Sequence, residues 1–180
     1  MSEDTADSKT PPGKMRRGPL GALTAHYAPG ERRPLLPYAQ IATVYTAGTG
    51  GGLIALRARG HRLPERLSLG DLLLLGVATH KLSRLLTKDR VTSFLRAPFT
   101  QFQEDSGQGE VEERPYGEGL REAVGELVSC PYCLAQWVAT GFTLGLVSNP
   151  RLTRFISSVL VVHTLSDMLQ IAYRASEDRL

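Results

Sequence analysis

The stretch GELVSCPYCLAQWVATGFTLGLV, residues 125–147, decides how this chain is read. It is the longest apolar stretch, and it opens on the only two cysteines, Cys130 and Cys133. From Leu127 to Val147 it carries no formal charge. At 1.5 Å of rise per residue, a helix of that length matches a hydrocarbon core of about 30 Å. Gly141 and Gly145 stand four apart, the spacing that lets a second helix approach closely. Asn149 and Pro150 end the run.

Three further blocks have similar character. Pro37 to Leu56 is uncharged, and Gly48 and Gly52 repeat the small-residue spacing. Leu67 to Ala78 is apolar apart from Asp71, and then becomes amphipathic through Arg90. In that second half His80, Arg84 and Lys88 recur at four-residue steps and share one helix face. Phe155 to Tyr173 is flanked by Arg154 and Arg174 and holds His163 and Asp167 one turn apart. The expected fold is therefore all-α: a four-transmembrane-helix bundle with spans at about 37–56, 67–86, 127–147 and 155–173. An amphipathic interfacial helix and a cytoplasmic loop join the second and third spans. The loop, Val91 to Val124, turns acidic and Gly-rich, and is expected to be mobile. Residues 1–36 form a polar, basic tail of disordered composition. The membrane domain then covers 37–174, with a short tail at 175–180.

Lys and Arg cluster beside the apolar blocks rather than on one face, which speaks against nucleic acid as a partner. The net charge of +3 is mild. With the N-terminus inside, fifteen Lys and Arg fall on the cytoplasmic side and six outside. The positive-inside rule then places both termini and the large loop in the cytoplasm. The four arginines between Arg57 and Arg66 pull the other way. Arg32-Arg33 before an apolar block also occurs in twin-arginine export signals, but no small-residue cleavage site follows.

Several side chains are candidates for chemistry. Cys130-Pro131-Tyr132-Cys133 has the letters of a glutaredoxin motif, and a helix start favours a thiolate. That fold needs strands alternating with helices around the motif, and none is apparent. A metal site needs two ligands beyond the cysteines; His80 supplies one, and Glu126 is a poor second. The alternative is two small buried residues, with Pro131 setting a helix turn. Asp71, His163 and Asp167 lie within apolar blocks, where ionisable groups serve as relays or as glue between helices. Asp71 is also close enough to its helix start to act as a cap. His80, Arg84, Lys88, Asp89, Arg90 and Arg96 mark the polar face after the second block. Its basic members suit anionic headgroups or a phosphate, or simple anchoring. No phosphate-binding, dinucleotide, zinc-protease or nucleophile-elbow motif occurs.

The run Thr79-His80-Lys81-Leu82-Ser83-Arg84, then Lys88-Asp89-Arg90-Val91-Thr92, Leu95-Arg96-Ala97-Pro98-Phe99, Gly125-Glu126-Leu127 and Cys130-Pro131-Tyr132-Cys133-Leu134 with Trp137 resembles a bacterial family. That family is known as domain of unknown function 1360, and one member is associated with sporulation. Ser166-Asp167 and Tyr173 are similar to its closing helix. The resemblance covers roughly Gly70 to Tyr173. It implies a bacterial membrane protein and brings no activity with it; together with the four spans, the expected location is the bacterial plasma membrane, multi-pass. The expected function is non-enzymatic, engaging anionic lipid headgroups or a partner protein at the cytoplasmic face. A thiol or zinc site at Cys130, Cys133 and His80, and an ion- or proton-conducting assembly, are the alternatives. No cofactor is expected outside the zinc alternative. The expected partners are the lipid bilayer and a protein or a second copy.

Overall fold

The computed structural model describes residue 27 and residues 33–177. Most of the expected tail over 1–36, and residues 178–180, lie outside the described residues.

The first helix, α1, runs Leu35–Ala58. Pro37 fits its first turn because the missing N–H has no intrahelical partner there. Gly60 ends it with φ of +79°: Gly60 N–H donates to the Arg57 carbonyl and His61 N–H to the Leu56 carbonyl, both at 3.0 Å. Only glycine takes that left-handed position without strain, and the paired bonds satisfy carbonyls the helix would leave open. α2 runs Leu69–Thr87. Ser68 caps it: Asp71 N–H donates to Ser68 Oγ at 3.0 Å, and Ser68 Oγ donates to Asp71 Oδ2 at 2.8 Å. The hydroxyl thus caps the helix and is itself held by the carboxylate of Asp71, whose negative charge suits the first turn.

After a four-residue helix α3 (Ser93–Arg96), two strands form: β1 (Thr100–Asp105) and β2 (Val111–Pro115). They pair antiparallel, Thr100 opposite Pro115 and Asp105 opposite Val111, with a bulge between Phe102 and Glu104. Gly107 and Gly109, both at positive φ, turn the chain between them. The expected mobile loop is thus mostly an ordered hairpin, its charged side chains spent on partners elsewhere in the fold.

α4 (Leu120–Ser129) and α5 (Pro131–Ser148) break at Cys130. A residue before proline is driven out of the α region, and Cys130 sits at φ −105°, ψ 109°. The two helices meet at 81°. α6 (Pro150–Glu177) starts after one residue, with Asn149 Oδ1 accepting from Leu152 N–H at 3.2 Å. From Pro34 onward the elements form one compact unit. α2 packs on α5 and α6, α1 on α4 and α5, and α4 on β2. Small side chains fill the helix contacts: Ala78 on α2 and Thr153, Ser157 and Thr164 on α6 are buried, with Leu75, Leu146 and Leu160 among them.

The expected all-α bundle of four spans is not what forms. Among the described residues there are six helices and a two-stranded sheet. One of these helices, α6, is long and apolar enough to cross a membrane. The α4–α5 pair qualifies only if its two halves are taken as one bent span. The reasons are local. Absence of charge is not the same as apolarity, and α1 spends its middle on Thr, Gly and Tyr. α2 gains Lys81 and Arg84 before its apolar run reaches membrane length. Pro131 turns the third block through a sharp angle rather than continuing it.

Candidate functional site

The family-like segment from Arg84 to Phe99 builds a polar platform where α2 ends, and the hairpin closes over it. Its centre is Arg96, only 1% exposed, against Glu113 at 5%. Arg96 Nε donates to Glu113 Oε2 at 2.7 Å and Nη2 to Glu113 Oε1 at 3.2 Å. Nη1 donates to the Leu86 carbonyl at 2.9 Å and to Thr92 Oγ1 at 2.8 Å, and Nη2 to the Asp89 carbonyl at 3.0 Å. A guanidinium has five N–H donors, and all five are used. Burying two charges is costly, and full satisfaction of this kind is what makes it tolerable. The short α3 exists because Arg96 ties its inner side to the end of α2.

The rest of the expected basic face is paired in the same way. Arg84 meets Glu110 through two bonds of 2.7 Å, Lys88 meets Glu112 at 2.7 Å, and Arg90 meets Asp105 at 2.9 Å. Glu110 raises the Arg84 pKa further, and the Lys88 ammonium holds the Glu112 carboxyl below its usual range. Asp89 Oδ1 accepts from Val91 N–H at 2.7 Å and fixes the turn into α3. His80 is exposed, outside these pairs. The face therefore presents compensated ion pairs rather than a bare basic patch. Beside it lies a shallow groove of about 210 Å³, lined by Ser93, Ala97, Thr100, Phe102 and Val111 with Arg90 at its edge. That is smaller than the roughly 300–1,000 Å³ that small-molecule sites occupy.

The other candidates separate. Cys130 is half-buried, Cys133 exposed, and neither is in a disulfide. Cys133 N–H donates to Cys130 Sγ at 3.2 Å, so this sulfur acts as the N-cap of α5. His80 is not gathered with them: among the described residues no three His, Cys, Asp or Glu converge to hold a metal ion. Glu126 instead accepts from the Tyr38 hydroxyl of α1. Tyr45 lies 2.7 Å from Thr140 and edge-on to Trp137 at 5.1 Å.

Asp71 and Asp167 both bind cations on the neighbouring helix. Arg154 forks onto Asp71 at 2.8 and 3.0 Å. Lys81 bonds Asp167, whose other oxygen lies 3.6 Å from His163 Nε2. These two pairs lay α2 and α6 side by side in the same direction. Sequence reasoning missed Lys81 and Arg154 as partners: Arg154 reads as a flank charge and Lys81 as part of an amphipathic run. Their signal was general: a carboxylate within an apolar block needs a cation, and here each finds it on the other helix.

Comparison with known proteins gives three results. The family described as protein of unknown function (DUF1360) matches residues 74–173. The sporulation protein YjcA of Bacillus subtilis (strain 168) is 28% identical over 102 residues, 55% of this chain and 86% of that protein. The UPF0713 protein YngL of the same strain is 27% identical over 109 residues, 60% of this chain and 82% of the relative. No solved structure matches. The family's match holds the platform, and α1 lies outside it.

Proposed function

We propose, for a chain that belongs to the DUF1360 family of proteins of unknown function, a non-enzymatic role at a membrane. In this reading α6 crosses the bilayer, and the ion-paired platform stands at its C-terminal end as a rigid surface for a partner protein. The observation that carries it is the outward face of α6, where Phe155, Val159, Val162, Leu165 and Leu169 lie exposed. Single exposed apolar residues are ordinary, but a belt of this length calls for a cover. Between Arg154 and Arg174 the helix rises about 30 Å, the thickness of a hydrocarbon core.

Arg174 bonds Gln108 in the hairpin turn, so α6 ends beside the platform. Charge counting assigns that side to the cytoplasm, since the stretch Lys81–Arg121 is rich in Lys and Arg. The platform's arginines and lysine are held by the protein's own carboxylates, which favours a protein partner over anionic headgroups there. Asp71 and Asp167 act as interhelical locks in this reading, rather than as stations for an ion.

Fractionation tests the reading. The full chain should remain in the membrane pellet through an alkaline carbonate wash and come out only with detergent. Recovery as a compact monomer without detergent would overturn it. A reporter fused after Leu180 should read cytoplasmic.

A further inference from the structure

We infer that α3 is a foot resting in the interfacial layer of the bilayer, with Val91, Phe94 and Leu95 entering among the lipid headgroups beside the end of α6. The inference rests on the membrane reading of α6 and adds a second, shallower lipid contact to it.

The three side chains stand 81%, 68% and 50% exposed, on a turn whose other side is pinned. Arg96 holds α3 from beneath through its bonds to Leu86, Asp89, Thr92 and Glu113. The apolar side chains therefore cannot fold inward without breaking a buried ion pair, so the outward presentation is built in. A rigid apolar triplet facing water is unfavourable, in proportion to the apolar surface left uncovered.

Its height relative to α6 says what covers it. Arg90, next to Val91, donates its N–H to the Gly109 carbonyl at 2.9 Å. The neighbouring Gln108 meets Arg174, where the apolar run of α6 ends. Thr92 donates its hydroxyl to the Leu85 carbonyl at 2.5 Å, holding α3 at the level of the last turn of α2. The triplet thus stands where Leu169, Ile171 and Tyr173 reach the edge of the apolar belt, which is where a bilayer crossed by α6 has its headgroups. An aromatic and two aliphatic side chains at that height is a composition suited to the interfacial layer. A docked peptide would instead need a deep groove, and the one alongside is only about 210 Å³.

Depth-dependent quenching of a single indole tests this. The full chain carries one tryptophan, so Trp137→Phe gives a silent background that keeps an aromatic ring against Tyr45. Phe94→Trp or Val162→Trp is then added and the protein placed in phosphatidylcholine vesicles with acyl chains brominated near the head or near the methyl end. The Phe94→Trp indole should lose most emission to bromines near the head. The Val162→Trp indole should lose most to the deeper ones. If Val162→Trp is quenched by brominated lipid and Phe94→Trp is not, the foot is overturned while α6 stands. Shielding of Phe94→Trp from both brominated lipid and aqueous iodide would mean that protein covers it, which also overturns the proposal. If neither indole meets the lipid, the membrane reading itself fails. Leu95→Trp repeats the measurement should Phe94→Trp disturb the turn.

Discussion

The platform and the long helices treat awkward side chains in opposite ways. At the platform every charge that leaves water meets a counter-charge from the same chain, Arg96 with Glu113 being the most buried case. Along α6 the apolar side chains that leave the core meet nothing. The first region completes itself, and the second is complete only with surroundings the chain does not supply. What the contrast teaches is where stability and association should separate. Damage to the platform should unfold the protein, whereas damage to the outer face of α6 should alter only what the protein lies against.

The largest effect belongs to Arg96→Met. It leaves the Glu113 carboxylate buried without its cation, a loss of about 3–5 kcal/mol for one broken buried pair. Unfolding in detergent, followed by circular dichroism, should show it as a sharp drop in the midpoint. Adding Glu113→Leu should recover much of the loss, because the stranded charge is then gone. Val162→Ala on the outer face should stay within about 0.5 kcal/mol in the same assay. Equal losses at the two positions would erase the distinction between the regions.

Glycines sharpen it at the next level. A Cβ on Gly125 would come 2.5 Å from the Phe99 carbonyl oxygen and 3.2 Å from Pro115 Cα, both backbone atoms with little room to move. Gly125→Ala should cost about 1–3 kcal/mol through overpacking of α4 against the hairpin. Gly48→Ala in α1 meets nothing within 4 Å and should be neutral, or stabilising by up to about 1 kcal/mol through helix propensity. If Gly125→Ala unfolds no earlier than Gly48→Ala, the close approach of α4 is not needed.

These cases also show what sequence makes legible. The long helices were visible because uncharged runs and punctuation are local: Pro131 and Asn149-Pro150 each act within a few residues of where they stand, whereas the cap expected at Asp71 falls to Ser68. Gly52 and Gly145 were rightly marked for close approach, against Leu144 and Thr153. Their repeat partners Gly48 and Gly141 face open space. The number of spans was not legible, since a run without charge still differs from an apolar one by its threonines and glycines. The platform was misjudged for a different reason. Arg84, Lys88 and Arg96 were picked out, but their partners Glu110, Glu112 and Glu113 lie 17 to 26 residues further on, across an acidic stretch that looked like solvated loop. Charges read singly suggested a face for phosphates. Paired through the hairpin, they form the most self-contained part of the protein.

The smallest expected effect lies where the two regions' logics meet, at the ion pair joining α2 to the start of α6. Arg154 first, then the Ser68 hydroxyl, hold the Asp71 carboxyl at about 2, below its ordinary 3.8. Because the folded value is the lower one, the pair's contribution is complete above about pH 4 and is lost as pH falls toward about 2. Lys88 shifts Glu112 the same way, so the platform adds an acid-sensitive contribution of the same sign. Lowering the pH from about 5 to about 2 should therefore bring the unfolding midpoint down, and Asp71→Asn should remove part of that slope while leaving the Glu112 part. Both pairs reach solvent, so added salt should shrink the difference between variant and parent. An identical pH slope with and without the Asp71 carboxylate would mean that α2 and α6 are held by Ala78, Ser157 and their buried neighbours alone, with the ion pair a surface ornament.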